Sequence, residues 1–575
     1  MSLDTSRRVL LNFARRSVRK RALQKFVLVA SLAGLARLAS AQVAPTVAFM
    51  SPVPGETICG TTTISATASS PVGIAGVQFK YDGHDIMPEA TAAPYTVRAY
   101  THYVPNGSYT LTAVARDTQG NVATSAPVPV TVSNGSAYAP CRFIPTFLVY
   151  YGGGPALKYA DAWTLGQFDL LDLDRNRYCE HALDPANCPF DPNTWAVIRP
   201  YNSDIGIYLY EAGAEATNYN DGTRAYDLFD LGRYDNARGH SMGSLDGNQP
   251  ELFLLDGGGS RIYNVPYSIP GTNQYSYLMD FGSATYQSYW LEAVNADIVT
   301  QPWVADGVFA DLCTTNNDFS PYSGIPVSYP TNAEWIDGMN RFVGAISAGM
   351  HGSGQRLWCN RGATATQDGS AAWLALDASA NPPDAVMEEG AFAVQWGPWA
   401  TQFYAEAAWK HQLDTMAAIQ HSKVTLLSHT QLAPGGSGTD NWGKPVTFWQ
   451  TLWYSMGSFL LAKNDVLNND YFMFHGADAP NYNAIVRYAE YDMIDLGKAL
   501  GPYAVANIGG TNVYGREFEY GYVYVNPTPD DVSTITLRQP CRQRTHENLY
   551  TPASELPVVT AISLSGHHAA ILLKQ

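Results

Sequence analysis

ADGVFADLCTT (residues 305–315) is the stretch that decides the fold. Its centre, Val308 to Leu312, reads as a short strand with apolar residues on both faces, entered from Asp306-Gly307 and followed by a helical run from Asn332 to Met350. A strand apolar on both faces and followed by a helix belongs in a parallel sheet covered on both sides. It also ends on an acid, Asp311. In a (β/α)8 barrel the side chains at the C-terminal strand ends line the active-site mouth, so Asp311 stands where such a fold places its chemistry.

Outward from this stretch the same pattern repeats. Candidate strands are Phe147 to Tyr151, Phe168 to Leu173, Ile205 to Tyr210, Val308 to Leu312, Arg356 to Cys359, Ala385 to Glu389, Val424 to Ser428 and Tyr471 to Phe474. Between them, apolar residues recur at three and four over Thr285 to Ile298, Glu334 to Ala348, Gln402 to Gln420 and Val446 to Ala462, which predicts helices. Eight strands alternating with helices predict a TIM barrel over residues 141–504. Residues 212–282, rich in Gly, Tyr and Asp, are too many for one helix and are expected to be an insertion on the substrate rim.

The flanks read differently. Residues 43–133 carry short alternating strands (Thr63 to Ala68, Val77 to Tyr81, Tyr109 to Val114, Val128 to Val132) broken by turns, with Asp82 and Asp117 as turn residues. That rhythm predicts a β-sandwich, and Ser133 to Ser136 a linker. From residue 505 the alternation of strand and helix stops. Phe518 to Val525, Thr534 to Leu537, Val558 to Leu564 and Ala569 to Leu573 predict a small antiparallel β domain over 505–575.

Residues 1–41 hold nine Lys/Arg against one Asp, an apolar core from Phe26 to Ala36, and Ala39-Ser40-Ala41. This is the pattern of a signal peptide cut before Gln42. The Arg7-Arg8 pair loosely matches a twin-arginine signal, but it stands far upstream of the apolar run. The eleven-residue core is short of the ~20 residues a membrane span needs. Losing this segment takes the net charge from −16 to −24. So acidic a chain is a poor partner for nucleic acid, which asks for basic surface. Export leads to a periplasmic, cell-surface or extracellular location.

Seven cysteines without a C-x-x-C pair in an exported chain suggest disulfides rather than a metal site. The expected pairs are Cys59 with Cys141, Cys179 with Cys188, and Cys313 with Cys359, leaving Cys541. No metal or cofactor is expected.

A second acidic station is DAVMEEGAF (384–392), where the sixth strand runs into Glu388-Glu389. Cleaving a glycosidic bond takes two carboxyl groups, one beside the anomeric carbon and one able to protonate the leaving oxygen. Strands four and six of one barrel can place Asp311 and one of the two glutamates across a sugar. Strand alternation lets only one of Glu388 and Glu389 face the mouth directly, and the sequence does not choose. Taken singly, Asp311 could be a loop-bracing carboxylate and the Glu pair a solvated strand end.

Other strand-end polar residues suit sugar hydroxyls: Asp172, Asp174, Glu211, Asn360, Arg361 and His429. Trp396 and Trp399 in WGPW follow the Glu pair and are candidate sugar platforms, with ordinary core packing as the alternative. Two motifs are decoys. GHSMG (239–243) matches G-x-S-x-G, yet neither an apolar strand precedes Ser241 nor a helix follows it. Asp172-Leu173-Asp174 opens like a calcium loop, yet Arg177 and Leu183 stand where Gly and Glu belong.

ISATASSPVGIAGVQFKYDG (64–83) and YTLTAVARDTQGNVATSAPVPVTV (109–132) resemble bacterial immunoglobulin-like modules, which implies a spacer or binding unit and a route to cell-surface association. DGVFADL (306–312), VMEEGAF (386–392) and REFEYGYVYVNPTPDDVSTITL (516–537) resemble exported glycoside hydrolases of the hypothetical glycosyl hydrolase family fifteen type, over roughly residues 145–537. A looser similarity to retaining barrel glycosidases implies Asp311 as nucleophile and Glu389 or Glu388 as acid/base, acting on a poly- or oligosaccharide. The competing expectation is a non-catalytic carbohydrate-binding or cell-surface protein on a barrel scaffold, since a fold does not establish chemistry.

Overall fold

The computed structural model describes residues 44–101, 104–136, 139–140, 142–151, 159–173, 197–217, 250–266, 275–295, 305–315, 319–464, 470–479 and 482–575. The export segment, Asp174, Ser241, the rest of the calcium-like loop, Cys141, Cys179 and Cys188 lie outside the described residues.

Eight parallel strands form one sheet in sequence order: β1 (Phe147–Tyr150), β2 (Leu170–Leu173), β3 (Gly206–Ala212), β4 (Gly307–Asp311), β5 (Arg356–Asn360), β6 (Ala385–Glu389), β7 (Lys423–His429) and β8 (Asp470–His475). The sheet curls until Thr146 meets Phe472 in a parallel bridge, which nearly closes the barrel. Every barrel strand named from the sequence is present within two residues at either end. They bury both faces because helices cover the outside: α1 (Tyr159–Leu165), α2 (Ala284–Val294), α3 (Asn332–Gly352), α4 (Gln367–Asp377), α5 (Glu406–Ala418) and α6 (Phe448–Ala462).

Local chemistry starts these helices. At α3 the Thr331 hydroxyl accepts from the Glu334 backbone N–H, and the Glu334 carboxylate accepts from the Thr331 backbone N–H, a full capping box. Thr366 and Thr447 cap α4 and α6 in the same way with one bond each. Helix boundaries differ from expectation by up to four residues, as where α3 runs on to Gly352 rather than Ala348. Helix α5 starts at Glu406 rather than Gln402, because Gln402–Phe403 pairs antiparallel with Ala393–Val394.

Alternation along the strands fixes what faces inward. Trp358 of β5 sits on the barrel axis, packing edge-on against Phe147 (5.4 Å between ring centres), Tyr208 (5.4 Å) and Phe309 (4.8 Å). Its Nε1 donates to Thr425 Oγ1 at 3.0 Å, so the one polar atom of this buried ring is satisfied. This layer is the floor on which the strand-end residues stand.

The insertion after β3 contains a short antiparallel pair, Glu215–Thr217 with Ser276–Leu278. Glu215 is buried there and accepts from Asn264, Ser276 and Tyr322, so that acid braces the insertion.

Residues Thr46–Val132 form a two-sheet immunoglobulin-like sandwich around Val77, Phe79, Ala113 and Val130. Asp82 is a turn residue as expected, with φ 43°, whereas Asp117 ends the strand Gly107–Asp117 and braces the turn after it, accepting from the backbone N–H groups of Gln119 and Asn121. Arg98 of this sandwich pairs with Asp495 at 3.1 Å.

The C-terminal sheet is antiparallel with six strands, two more than the sequence suggested: Ala504–Ile508 and Thr511–Glu517 join it. Phe518 lies between the strands Thr511–Glu517 and Gly521–Asn526, bridges antiparallel to Ala499 and is fully buried.

Cys313 and Cys359 are buried free thiols in hydrogen-bonding contact, not the expected disulfide. The spacing read from the sequence placed them side by side correctly. Proximity is set by the β4–β5 register, whereas the bond is a matter of oxidation.

Candidate active site

Parallel register carries the inward face of Trp358 up to the strand ends. On β4, β5 and β6 the residues two or four positions on from the floor are Asp311, Asn360 and Glu389. These three converge. Asn360 Nδ2 donates to Asp311 Oδ1 at 2.9 Å and to Glu389 Oε2 at 2.7 Å. Two bonds of that length to one nitrogen keep the accepting oxygens no more than about 5.6 Å apart.

Each carboxylate has further donors. Asp311 Oδ2 accepts from the Tyr210 hydroxyl at 2.8 Å and Oδ1 from the Leu312 backbone N–H at 2.8 Å. The Tyr482 hydroxyl donates to Glu389 Oε1. Burial pushes the Asp311 carboxyl up to about 6, the Glu389 charge adds to this, and the bonds from Tyr210, Leu312 and Asn360 oppose it.

The backbone bends sharply just beyond these side chains. Leu312 has φ 58° and Gly390 has φ 90°, directly after Asp311 and Glu389. At Gly390 a Cβ would also meet Val394 Cγ1 at 2.5 Å, so only glycine fits. Left-handed non-glycine residues cost of order 1 kcal/mol or more and collect at functional sites.

Glu388 points the other way, as strand alternation requires. It is buried and accepts from the Thr364 backbone N–H at 2.8 Å and from the Thr364 hydroxyl. Burial raises its carboxyl to about 7. Glu389 is the acid that faces the mouth.

The remaining sequence candidates divide. Asp172 lies on the inward face of β2, in register with Val149 and Tyr208, and its charge helps raise the Tyr151 hydroxyl, whose first cause is burial. His429 also faces inward at the end of β7. Trp396 and Trp399 are 52 % and 39 % exposed, so they are not core residues, and Trp396 lies 6.2 Å from the His429 ring. Glu211 and Arg361 do not join the group. Glu211 has the opposite parity to Tyr210 and acts on the Tyr286 hydroxyl of α2, outside the barrel. Arg361 is fully buried, donating to the Cys313 carbonyl at 3.1 Å and to Asn340 of α3, so it braces loops.

Sequence reasoning missed Tyr210, Tyr482 and His475. Tyr210 could have been found, since the parity that puts Tyr208 inward puts Tyr210 there too. His475 follows an apolar run as His429 does and carries the same signal. Tyr482 comes from a loop and had none.

Residues 199–522 match the hypothetical glycosyl hydrolase family 15, and residues 45–113 match a bacterial Ig domain. No curated protein matches the chain. Among solved structures, the fibronectin(III)-like modules of Clostridium thermocellum CbhA are 34% identical over 15% of this chain and 94% of theirs, with a TM-score of 0.14. A family 39 glycoside hydrolase from Bacteroides cellulosilyticus WH2 is 10% identical over 92% of this chain and 100% of its own, with a TM-score of 0.35. The trehalulose synthase MutB of Pseudomonas mesoacidophila MX-45 is 11% identical over 76% and 99%, with a TM-score of 0.43. The family match takes in more than half of the 575 residues, Asp311, Asn360 and Glu389 among them, and the chain belongs to the hypothetical glycosyl hydrolase family 15.

Proposed function

We propose that this glycosidase hydrolyses a poly- or oligosaccharide with retention of configuration, with Asp311 as nucleophile and Glu389 as acid/base. The observation that carries the reading is the Asn360 amide donating to both carboxylates. A ceiling of about 5.6 Å between the two bonded oxygens suits the ~5–5.5 Å of retaining enzymes and is short of the ~6.5–9.5 Å that leaves room for water in inverting ones.

In the first step an Asp311 oxygen attacks the anomeric carbon while Glu389 gives its proton to the departing glycosidic oxygen. In the second, Glu389 takes a proton from water, whose oxygen displaces Asp311 and frees the enzyme. Three hydrogen-bond donors favour the charged form of Asp311 that attack requires. Residues 1–41 are proposed as an export signal, and the immunoglobulin-like sandwich as a spacer that holds the barrel near a surface.

The test is reducing-sugar release from a broad polysaccharide panel by the purified protein beside Asp311→Asn, Glu389→Gln and Glu388→Gln. The reading requires loss in the first two and activity in the third. NMR of the first-formed anomer reads the stereochemistry, and an inverted product would remove the nucleophile role. Sugar binding without turnover, unchanged in all three variants, would favour a binding protein instead.

A further inference from the structure

Beside the carboxylate pair stand two buried imidazoles that nothing in the fold requires. His429 and His475 end β7 and β8 directly opposite one another, with rings 6.0 Å apart and nearly perpendicular. Both nitrogens of His429 and Nε2 of His475 are buried without a hydrogen-bond partner. Leaving such an atom unpaired costs ~1–3 kcal/mol, and folded proteins keep few of them without a reason. Two residues earlier on the same inward faces, Leu427 and Met473 fill equivalent positions with apolar side chains. The imidazoles therefore spend stability that an apolar pair would keep.

Their neighbours point to the ligand. Tyr482, whose hydroxyl holds Glu389, has its ring 6.3 Å from His429 and 5.1 Å from His475. Half-exposed Trp396 leans over His429 at 37°. Burial pushes both imidazoles down to about 3, so each ring is neutral and offers one donor and one acceptor. That is the complement of a hydroxyl pair. Among the described residues, the inward side chains at the strand ends include no Lys or Arg, because Arg361 turns away into the α3 loops.

We propose that His429 and His475 are specificity residues that bind adjacent hydroxyls of an uncharged sugar unit next to the Asp311–Glu389 pair, and that the Trp396 indole is displaced from His429 as the sugar enters. This rests on the glycosidase reading for its location, but not on turnover. It selects a neutral hexose or pentose unit over a hexuronate, since a carboxylate would meet Asp311 and Glu389 with no cation among the described inward strand-end residues to pair it. A site built to bond a hydroxyl discriminates strongly against a unit that lacks it.

The test is titration of 15N-histidine-labelled Asp311→Asn protein with glucose, galactose, mannose, xylose, glucuronate and galacturonate, reading the imidazole resonances and tryptophan fluorescence. At least one neutral sugar should shift both imidazoles and change the fluorescence, with no fluorescence change in Trp396→Phe. His429→Leu and His475→Leu should each weaken that sugar about 10- to 100-fold. His429→Gln, which keeps an amide donor and acceptor, guards against misfolding and should lose less than His429→Leu. Imidazoles unmoved by every neutral sugar, leucine variants that bind as the parent does, or tighter binding of a hexuronate would each overturn the proposal. Sugar binding of the expected kind in a protein that hydrolyses nothing would sink the glycosidase reading alone. Hydrolysis untouched by the leucine variants would sink only this one.

Discussion

Asp311 and Glu389 are tied through one nitrogen: Nδ2 of Asn360 donates 2.9 Å to the first and 2.7 Å to the second. The spacing of the pair, on which the stereochemical course depends, is therefore set by a third residue from the strand between them. Asn360→Ala should lower kcat about 10²-fold with KM little changed, the size of loss that follows from misplacing reacting groups by about 1 Å. Asn360→Asp should be worse, because a third carboxylate raises the pair further. Steady-state kinetics on the best substrate of the panel decides this, and kcat within twofold in Asn360→Ala would deny the amide its spacing role.

In its proposed role Asp311 attacks as a carboxylate, and its carboxyl is pushed up to about 6, by burial first and by the Glu389 charge second. Activity should therefore fall on the acid side with a midpoint near 6, as the nucleophile takes up a proton. Glu389→Gln removes the second of those causes, so on substrates with an activated leaving group, which need no proton, its acid limb should lie at lower pH. An acid limb that stays where the parent has it would deny the Glu389 charge that influence.

Glu388 titrates too, but outside the mouth. Its folded value of about 7 lies above the ordinary 4.5 of a glutamate, so the folded state holds the proton more tightly. That contribution is full below about 4.5 and is lost as pH rises through 7, up to about 3 kcal/mol in all. Glu388→Gln, uncharged throughout, should flatten the fall of stability between pH 4.5 and 7 while kcat/KM stays within a few-fold. Denaturant midpoints at both pH values check it, and an unchanged slope would refute the assignment.

Arg361→Met should act on stability and not on sugar. It strips donors from the Cys313 carbonyl and Asn340, at a cost of about 3 kcal/mol. A Tm several degrees lower with the KM of the parent is expected. A raised KM at full stability would return Arg361 to the binding site.

The eight strands were legible from the sequence because each is a short apolar run, and burial on both faces leaves that run unbroken. The same runs end on polar residues, which is why Asp311, Asn360, Glu389 and His429 could be named. Phase was the harder matter. Two adjacent acids at the end of β6 look alike in sequence, and only the register that carries Ala385 and Met387 inward separates Glu389, at the mouth, from Glu388, behind Thr364. The same parity removed Glu211 from the mouth and brought in Tyr210. Tyr482 and the turning away of Arg361 depend on contacts between segments far apart in the chain, where no local pattern records them. The sequence by itself determined the barrel, its flanking β units and the strand ends where chemistry would lie, because periodicity and burial are local properties. Only the tertiary structure decided which of those side chains meet, because meeting is fixed by strand register and loop packing across the whole barrel.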